Sequence, residues 1–437
     1  NATIWTSEAE GVLENSDLLI KNGRIEAIGQ NLTAPAGFRV IDAIGKHVTA
    51  GIIDEHSHIC ISGDVNEGTD AISSEVRIGD IVNPDDISVY RSLAGGATAA
   101  RLLHGSANPI GGQAQIIKLR WGATAEEMKL KEAPPSIKFA LGENVKQVNW
   151  GEQYTTRYPQ SRMGVETIIR DAFQTTREYE AEWAAYNALS SSRREKTIPP
   201  RRDLRLEALV EVLHSRMFIT CHAYVQSEIL MMMQLAHDYG IKIATFAHIL
   251  EGYKVADEMV RYEAGGGSAP DWWAYKFEVY DAIPYNPGLL HERGVLVSVN
   301  SDSQHLQRLL NQAAAKSVQY TGMSQTDALN LVTINPARQL KADQAIGSLK
   351  AGKHADFTIW SGNPLSVYSR AEQTWIDGKK YFDIEEDAGL RARVIEEKNK
   401  LIQKILAKPG EGKNDKGAGR PGGRRPHMEG GSHENSR

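Results

Sequence analysis

Residues 51–59 read GIIDEHSHI. An apolar start runs into two acids and then into His56 and His58, one residue apart. Side chains at i and i+2 of a β-strand leave from the same face. The two imidazoles therefore stand side by side, with Ser57 turned away. That is an awkward pair at the end of a hydrophobic run, and a cation held between them resolves it.

The stretch belongs to a longer pattern. From residue 50 to 340, strand-like segments alternate with helix-like ones. The strand-like segments are HVTAGIIDEHSHI, GATAARLLH, SIKFALGE, MFITCHAY, IKIATFAHI and GVLVSVNSD. Between them lie DDISVYRSLAGG, LRLEALVEVLHSR, QSEILMMMQLAHDYG and LQRLLNQAAAKSVQY. Repeated β-then-α units predict a parallel sheet. The Met231–Met233 run reads as helix packing. TTREYEAEWAAYNALSSSRREKT reads as a polar helical insertion over the rim, and HGSANPIGGQ as a Gly-rich loop that lets backbone approach a substrate or the next strand.

Short alternating segments before residue 50, with an Asn22-Gly23 hairpin signal, are matched by similar ones after residue 340, with a turn at Asp377-Gly378. The expected organisation is a β-lobe from 1–49 and 341–385, a unit at 50–340, a helix at 386–407 and a disordered, Gly-, Pro- and charge-rich tail at 408–437. The opening NATIWTSEAEG has no initiator Met and no signal peptide, and reads as the middle of a strand. Further sequence upstream is expected.

The chain has 437 residues, 41% hydrophobic and 24% charged, with a formal net charge of −5. This argues against nucleic-acid and polybasic membrane roles, and no apolar run is long enough to span a bilayer. Cys60 and Cys221, the two cysteines, read as small buried hydrophobes.

Strand ends are where parallel barrels place their chemistry. Taken in order, they carry His56 and His58, then Lys138 and Glu143, His222, His248 and finally Asp302. One strand-end histidine is ordinarily structural, as are His214, His237 and His291 here; His427 and His433 are bystanders. Four histidines and an aspartate on separate strand ends form a set, and imidazole with carboxylate suits zinc or a related divalent ion.

The motifs GIIDEHSHI, GGATAARLLHGSANPIGGQ, FALGENVK, TCHAY, AHILEG, VNSD, LNLVTINPARQL and IGSLKAGKHADFTIW resemble those of the amidohydrolase superfamily of metal-dependent hydrolases. The similarity is to the branch of imidazolonepropionases and Xaa-Pro dipeptidases, and it covers nearly all of residues 1–385. It implies an α/β fold, a (β/α)8 TIM-type barrel with a small β-sandwich lobe built from both chain ends. It further implies that His56 and His58 bind one metal and His222 and His248 a second. Asp302 would contact metal and water and act as general base. Two zinc ions are expected, with manganese, iron or cobalt as alternatives. The bridging anion is either a carboxylated Lys138 or Glu143, with a slight lean to Glu143. His104 and Tyr224 are expected at the substrate.

The implied reaction is hydrolysis of a C–N bond in a dipeptide, N-acyl or cyclic amide. One rival is a deaminase with one metal and Glu228 or Glu251 as proton shuttle; another is a non-catalytic metal-binding barrel. Resemblance to exported bacterial relatives with an extra N-terminal domain implies a periplasmic or secreted location. A homo-oligomer is also expected.

Overall fold

A computed structural model describes residues 1–151 and 156–407. The chain opens with β1 (Ala2–Trp5), β2 (Val12–Lys21), β3 (Arg24–Gly29) and β4 (His47–Ala50). It then enters β5 (Ile52–Ser57), β6 (Ala97–Leu102), β7 (Ile110–Gln113), β8 (Gln115–Lys118) and β9 (Ser136–Ala140). The parallel series continues with β10 (Phe218–His222), β11 (Ile243–Ala247), β12 (Gly265–Ser268) and β13 (Val297–Val299). It ends with β14 (Phe357–Trp360), β15 (Ala371–Ile376) and β16 (Lys379–Asp383).

The two chain ends meet in one seven-stranded sheet of order β16-β15-β14-β4-β1-β2-β3. β4 is the seam, parallel to β1 and antiparallel to β14. The expected sandwich lobe is thus one continuous hydrogen-bonded sheet. Its core includes Ile4, Ile25, Val48, Phe357 and Trp375.

Strands β9 to β13 are parallel neighbours in sequence order. SIKFA, IATFA and VSV are wholly buried, as strands covered on both faces must be. β5 and β6 form a second parallel pair. The segment read as a loop at HGSANPIGGQ instead supplies β7, antiparallel to β9, and leads into β8, antiparallel to β6. Glycine permits this close approach: a Cβ on Gly111 would lie 3.2 Å from the Lys138 carbonyl on β9. On the far side, the Asp302 N–H donates to the His56 carbonyl at 3.1 Å and the Ser301 N–H to Asp54 Oδ1 at 3.1 Å. Among the described residues the strands of the expected barrel fall into a six-stranded and a three-stranded sheet, drawn together at their edges by these bonds.

Two devices join barrel to lobe. β4 and β5 are separated only by Gly51, where a Cβ would lie 2.1 Å from Thr98 Oγ1. The buried Lys118 ammonium on β8 meets Asp356 at 2.8 Å, Asp377 at 2.5 Å and His354 Nδ1 at 2.7 Å. The predicted helices appear at Ile87–Leu93, Leu204–Leu213, Gln226–Tyr239 and Leu310–Thr321. The first half of the polar insertion, to Asn187, is the end of a longer helix, Arg162–Asn187, and a second short helix follows at Ser191–Arg194. No helix among the described residues is long and apolar enough to cross a membrane. The tail expected at 408–437 lies outside the described residues.

Candidate metal centre

His56 is the last inward residue of β5. His58 follows beyond the strand end, and its Nδ1 bonds the Leu103 carbonyl at 2.9 Å. That bond puts the proton on Nδ1 and leaves Nε2 as a bare donor toward the cluster. On β9, Ser136, Lys138 and Ala140 share one face by alternation. Lys138 pairs in register with Thr220, and Ala140 with His222, so Lys138 and His222 project to the same side. His248 and Asp302 end their strands with φ of 58° and 42°. This left-handed backbone costs a non-glycine residue about 1–3 kcal/mol and concentrates at functional sites.

These side chains converge. Asp302 Oδ1 lies 3.1 Å from His58 Nε2 and 3.6 Å from His56 Nε2, and Oδ2 lies 3.4 Å from His248 Nε2. Lys138 Nζ is 3.1 Å from His56 Nε2. Ring centroids are 4.3 Å apart for His56 and His248, and 5.3 Å for His222 and His248. His56, Lys138, His222 and His248 are buried, whereas His58 and Asp302 keep 18% and 17% of their side chains exposed. The cluster therefore opens to solvent on the His58–Asp302 side.

Burial dominates the electrostatics. It holds His56 and His222 far below the ordinary imidazole range and lowers His248 to about 3, although Asp302 pulls His248 the other way. Burial likewise lowers the Lys138 ammonium to about 8. It pushes the Asp302 carboxyl up, but His248, His58 and Lys138 outweigh it and hold the group below its usual value. The result is a set of neutral imidazoles around an ionised carboxylate.

Among the described residues, His56 Nδ1 and both nitrogens of His222 and His248 are buried without a hydrogen-bond partner. Buried polar atoms are normally satisfied. Three buried rings with unpartnered nitrogens, each able to offer one donor, fit a divalent cation, for which neutral imidazole and carboxylate are suitable donors. Among the described residues, His56, His58 and Asp302 bring ligand atoms within 4.8 Å of one another, as do His354, Asp356 and Asp377 at the Lys118 joint.

Other expected residues sit elsewhere. Glu143 lies past Gly142, whose φ is +82°, and its carboxylate meets Lys276 Nζ at 3.3 Å. The Lys138 ammonium meets a cluster histidine directly, at His56 Nε2, whereas the Glu143 carboxylate meets a lysine. His104 accepts the Glu67 N–H at Nε2 and bonds the Gly105 carbonyl through Nδ1, both at 2.9 Å. Burial lowers it to about 4. Both of its ring nitrogens are thus engaged by loop backbone. Tyr224 does flank the site, edge-on to His222 at 4.5 Å and bonded to the Tyr275 hydroxyl at 3.0 Å. Glu228 and Glu251, the shuttles a deaminase would need, are engaged elsewhere. Glu228 pairs with Arg162 at 2.6 Å, and Glu251 accepts the Gln226 N–H at 3.0 Å.

Groups outside the strand ends complete the surroundings, among them Trp272, which with Trp273 in GGGSAPDWWAYK reads from sequence as either a pocket wall or packing. Trp272 stacks on His248 at 4.8 Å. Ser301 holds Asp54 through its hydroxyl at 2.5 Å. Beneath the histidines, Glu55 takes Arg101 at 2.6 Å and Asn300 at 2.8 Å. The acids of GIIDEHSHI were the visible signal for the last two. The Leu103 carbonyl, a backbone group, had none.

Comparison with known proteins now adds identity. Residues 286–388 match the model of the Amidohydrolase family. An amidohydrolase from Thermotoga maritima MSB8, a solved structure, is 30% identical with a TM-score of 0.80, over 88% of this chain and 98% of that one. Amidohydrolase tasK of Hapsidospora irregularis is 30% identical over 428 residues, 88% of this chain and 43% of that protein. A dihydroorotase of Geobacter sulfurreducens is 33% identical over 134 residues, 29% of this chain and 31% of that protein. The chain belongs to the amidohydrolase family. It spans less than half the length of tasK.

Proposed function

We propose that this chain hydrolyses a C–N bond in a small amide (a dipeptide, an N-acyl amino acid or a cyclic amide) with the help of divalent metal. One observation carries the reading: three packed, buried imidazoles with unpartnered ring nitrogens, those of His56, His222 and His248, beside an ionised Asp302. His56 and His58 would hold one ion, and His222 and His248 a second. Lys138, carboxylated on Nζ, would supply the bridging anion, and Asp302 would complete the set. Zinc suits these donors, as do manganese, iron and cobalt. Bound there, the metal acidifies water and polarises the substrate carbonyl.

The chain's own residues do the rest. Asp302 takes a proton from water on its carboxylate oxygen and returns it to the leaving nitrogen. Tyr224 and Trp272 wall the histidine side and exclude bulk water. In the same reading the catalytic unit is residues 50–340, carried by the lobe of 1–49 and 341–385, with a C-terminal helix at 386–407.

Elemental analysis of wild type and His222→Ala tests this, alongside a hydrolysis screen over the three amide classes. About two metals per chain, falling on substitution, with turnover of one class, is the expected result. No metal after reconstitution with zinc or manganese would overturn it.

A further inference from the structure

The last helix, Ile384–Ala407, leaves the body of the protein after its first turn. Asp387 is its buried anchor, bonded by the Tyr90 hydroxyl at 3.1 Å. Every residue from Ala388 to Ala407 is exposed. At 1.5 Å per residue that is about 30 Å of helix. Helices of this length are marginal alone in water and depend on packing.

One face is apolar. Val394, Leu401 and Ile405 are 66%, 57% and 70% exposed, and a groove along this face is lined by residues of this helix alone. Its spacing is palindromic about the midpoint between Glu397 and Lys398. Counting outward, Glu397 answers Lys398, Val394 answers Leu401, Arg393 answers Ile402, and Leu390 answers Ile405, which uses every lining residue. A surface that maps onto itself under a two-fold axis meets the condition for isologous pairing.

We propose that this helix pairs antiparallel with the same helix of a second copy of the chain. Leu390 then packs on the partner's Ile405, and Val394 on the partner's Leu401. Glu397 meets the partner's Lys398 twice, once on each side of the axis. A parallel pair would set Glu397 against Glu397 and Lys398 against Lys398, so charge selects the antiparallel register. One like-charged pair, Arg391 with the partner's Lys404, falls at the flank, where Asp387 already offsets Arg391 at 2.5 Å. The 408–437 segment is a poor occupant of this face. It contains one large apolar side chain, Met428.

The seam is small for a specific interface, so dimerisation in the micromolar range is expected. Sedimentation equilibrium of the full chain from about 1 to 100 μM reads it. E397K or K398E alone should weaken the dimer roughly tenfold, and E397K/K398E together should restore it. Under mild oxidation L390C/I405C should cross-link copies, and V394C should not, because antiparallel pairing holds the two 394 positions apart. Thermal unfolding checks that each variant remains folded. A chain monomeric throughout, no rescue by the double swap, V394C cross-linking to itself, or a dimer that forms only after removal of 408–437 would each overturn the proposal.

Discussion

Lys138 Nζ stands 3.1 Å from His56 Nε2, both side chains fully buried. A lysine so deep beside an imidazole gives up solvation, and among the described residues no carboxylate forms an ion pair with it. A carbamate on Nζ would turn this unfavourable cation into an anion that the metals neutralise.

Lys138→Ala is therefore expected to lose about one metal per chain or more, and activity by about 100-fold or more. Lys138→Ala supplied with a short carboxylic acid should recover part of both. Full metal content in Lys138→Ala would remove Lys138 from the site.

Glu143→Gln gives the contrasting result. Its partner is Lys276 at 3.3 Å, so elemental analysis should find the metal content of wild type, with at most a change in KM. Metal loss here would restore Glu143 as the bridge.

Asp302→Asn keeps the size of the side chain and removes its basicity. Turnover should fall by about 10²–10⁴-fold while thermal unfolding shows a folded protein. An active Asp302→Asn enzyme would place the base elsewhere.

Acid sensitivity is expected at the lobe–barrel joint. Burial raises the Asp377 carboxyl, but Lys118 and Arg120 outweigh it and hold it below the ordinary value. A depressed folded pKa adds stability above the unfolded value of about 4, and that stability is lost as pH falls through the folded pKa. Asp377→Asn should cost about 1–3 kcal/mol at neutral pH, because Lys118 loses a partner. Its Tm should then fall less than that of wild type as pH drops from about 5 to about 2. Parallel Tm–pH curves would show that Asp377 carries no linkage.

Gly51→Ala puts a methyl group 2.1 Å from Thr98 Oγ1. Overpacking of this kind costs about 1–3 kcal/mol, and Thr98→Ala in the same chain should recover much of it. Chemical denaturation of the two variants provides the check.

Much of the site was legible because strand ends and alternation are properties of short sequence windows. His56, His58, His222, His248 and Asp302 each close a buried apolar run, and the run itself says where the side chain emerges. Lys138 against Glu143 was not decidable that way. The choice turns on which face of β9 meets His222, a pairing that no short window contains. The partners of His104 were hidden for a related reason: they are a neighbouring carbonyl and the N–H of Glu67, 37 residues away. Strand β7 was hidden because Gly111 and Gly112 suppress the usual strand signal, and pairing with β9 supplies what propensity lacks. Architecture was easier than closure. Alternating units announce a parallel sheet, but the edge contacts between Asp302 and His56 join residues 246 positions apart.

The seam at β4 also has a consequence for the order of events during synthesis. β1 and β4 can pair as soon as residue 50 has emerged, yet β4 keeps an open edge until β14 arrives at residue 357. All the proposed ligands, from His56 to Asp302, are made inside that interval. A nascent chain thus assembles its metal-binding strands while the sheet beside them still offers a bare edge, a setting in which strand edges recruit wrong partners. Completion of the C-terminal hairpin is the step that seals it.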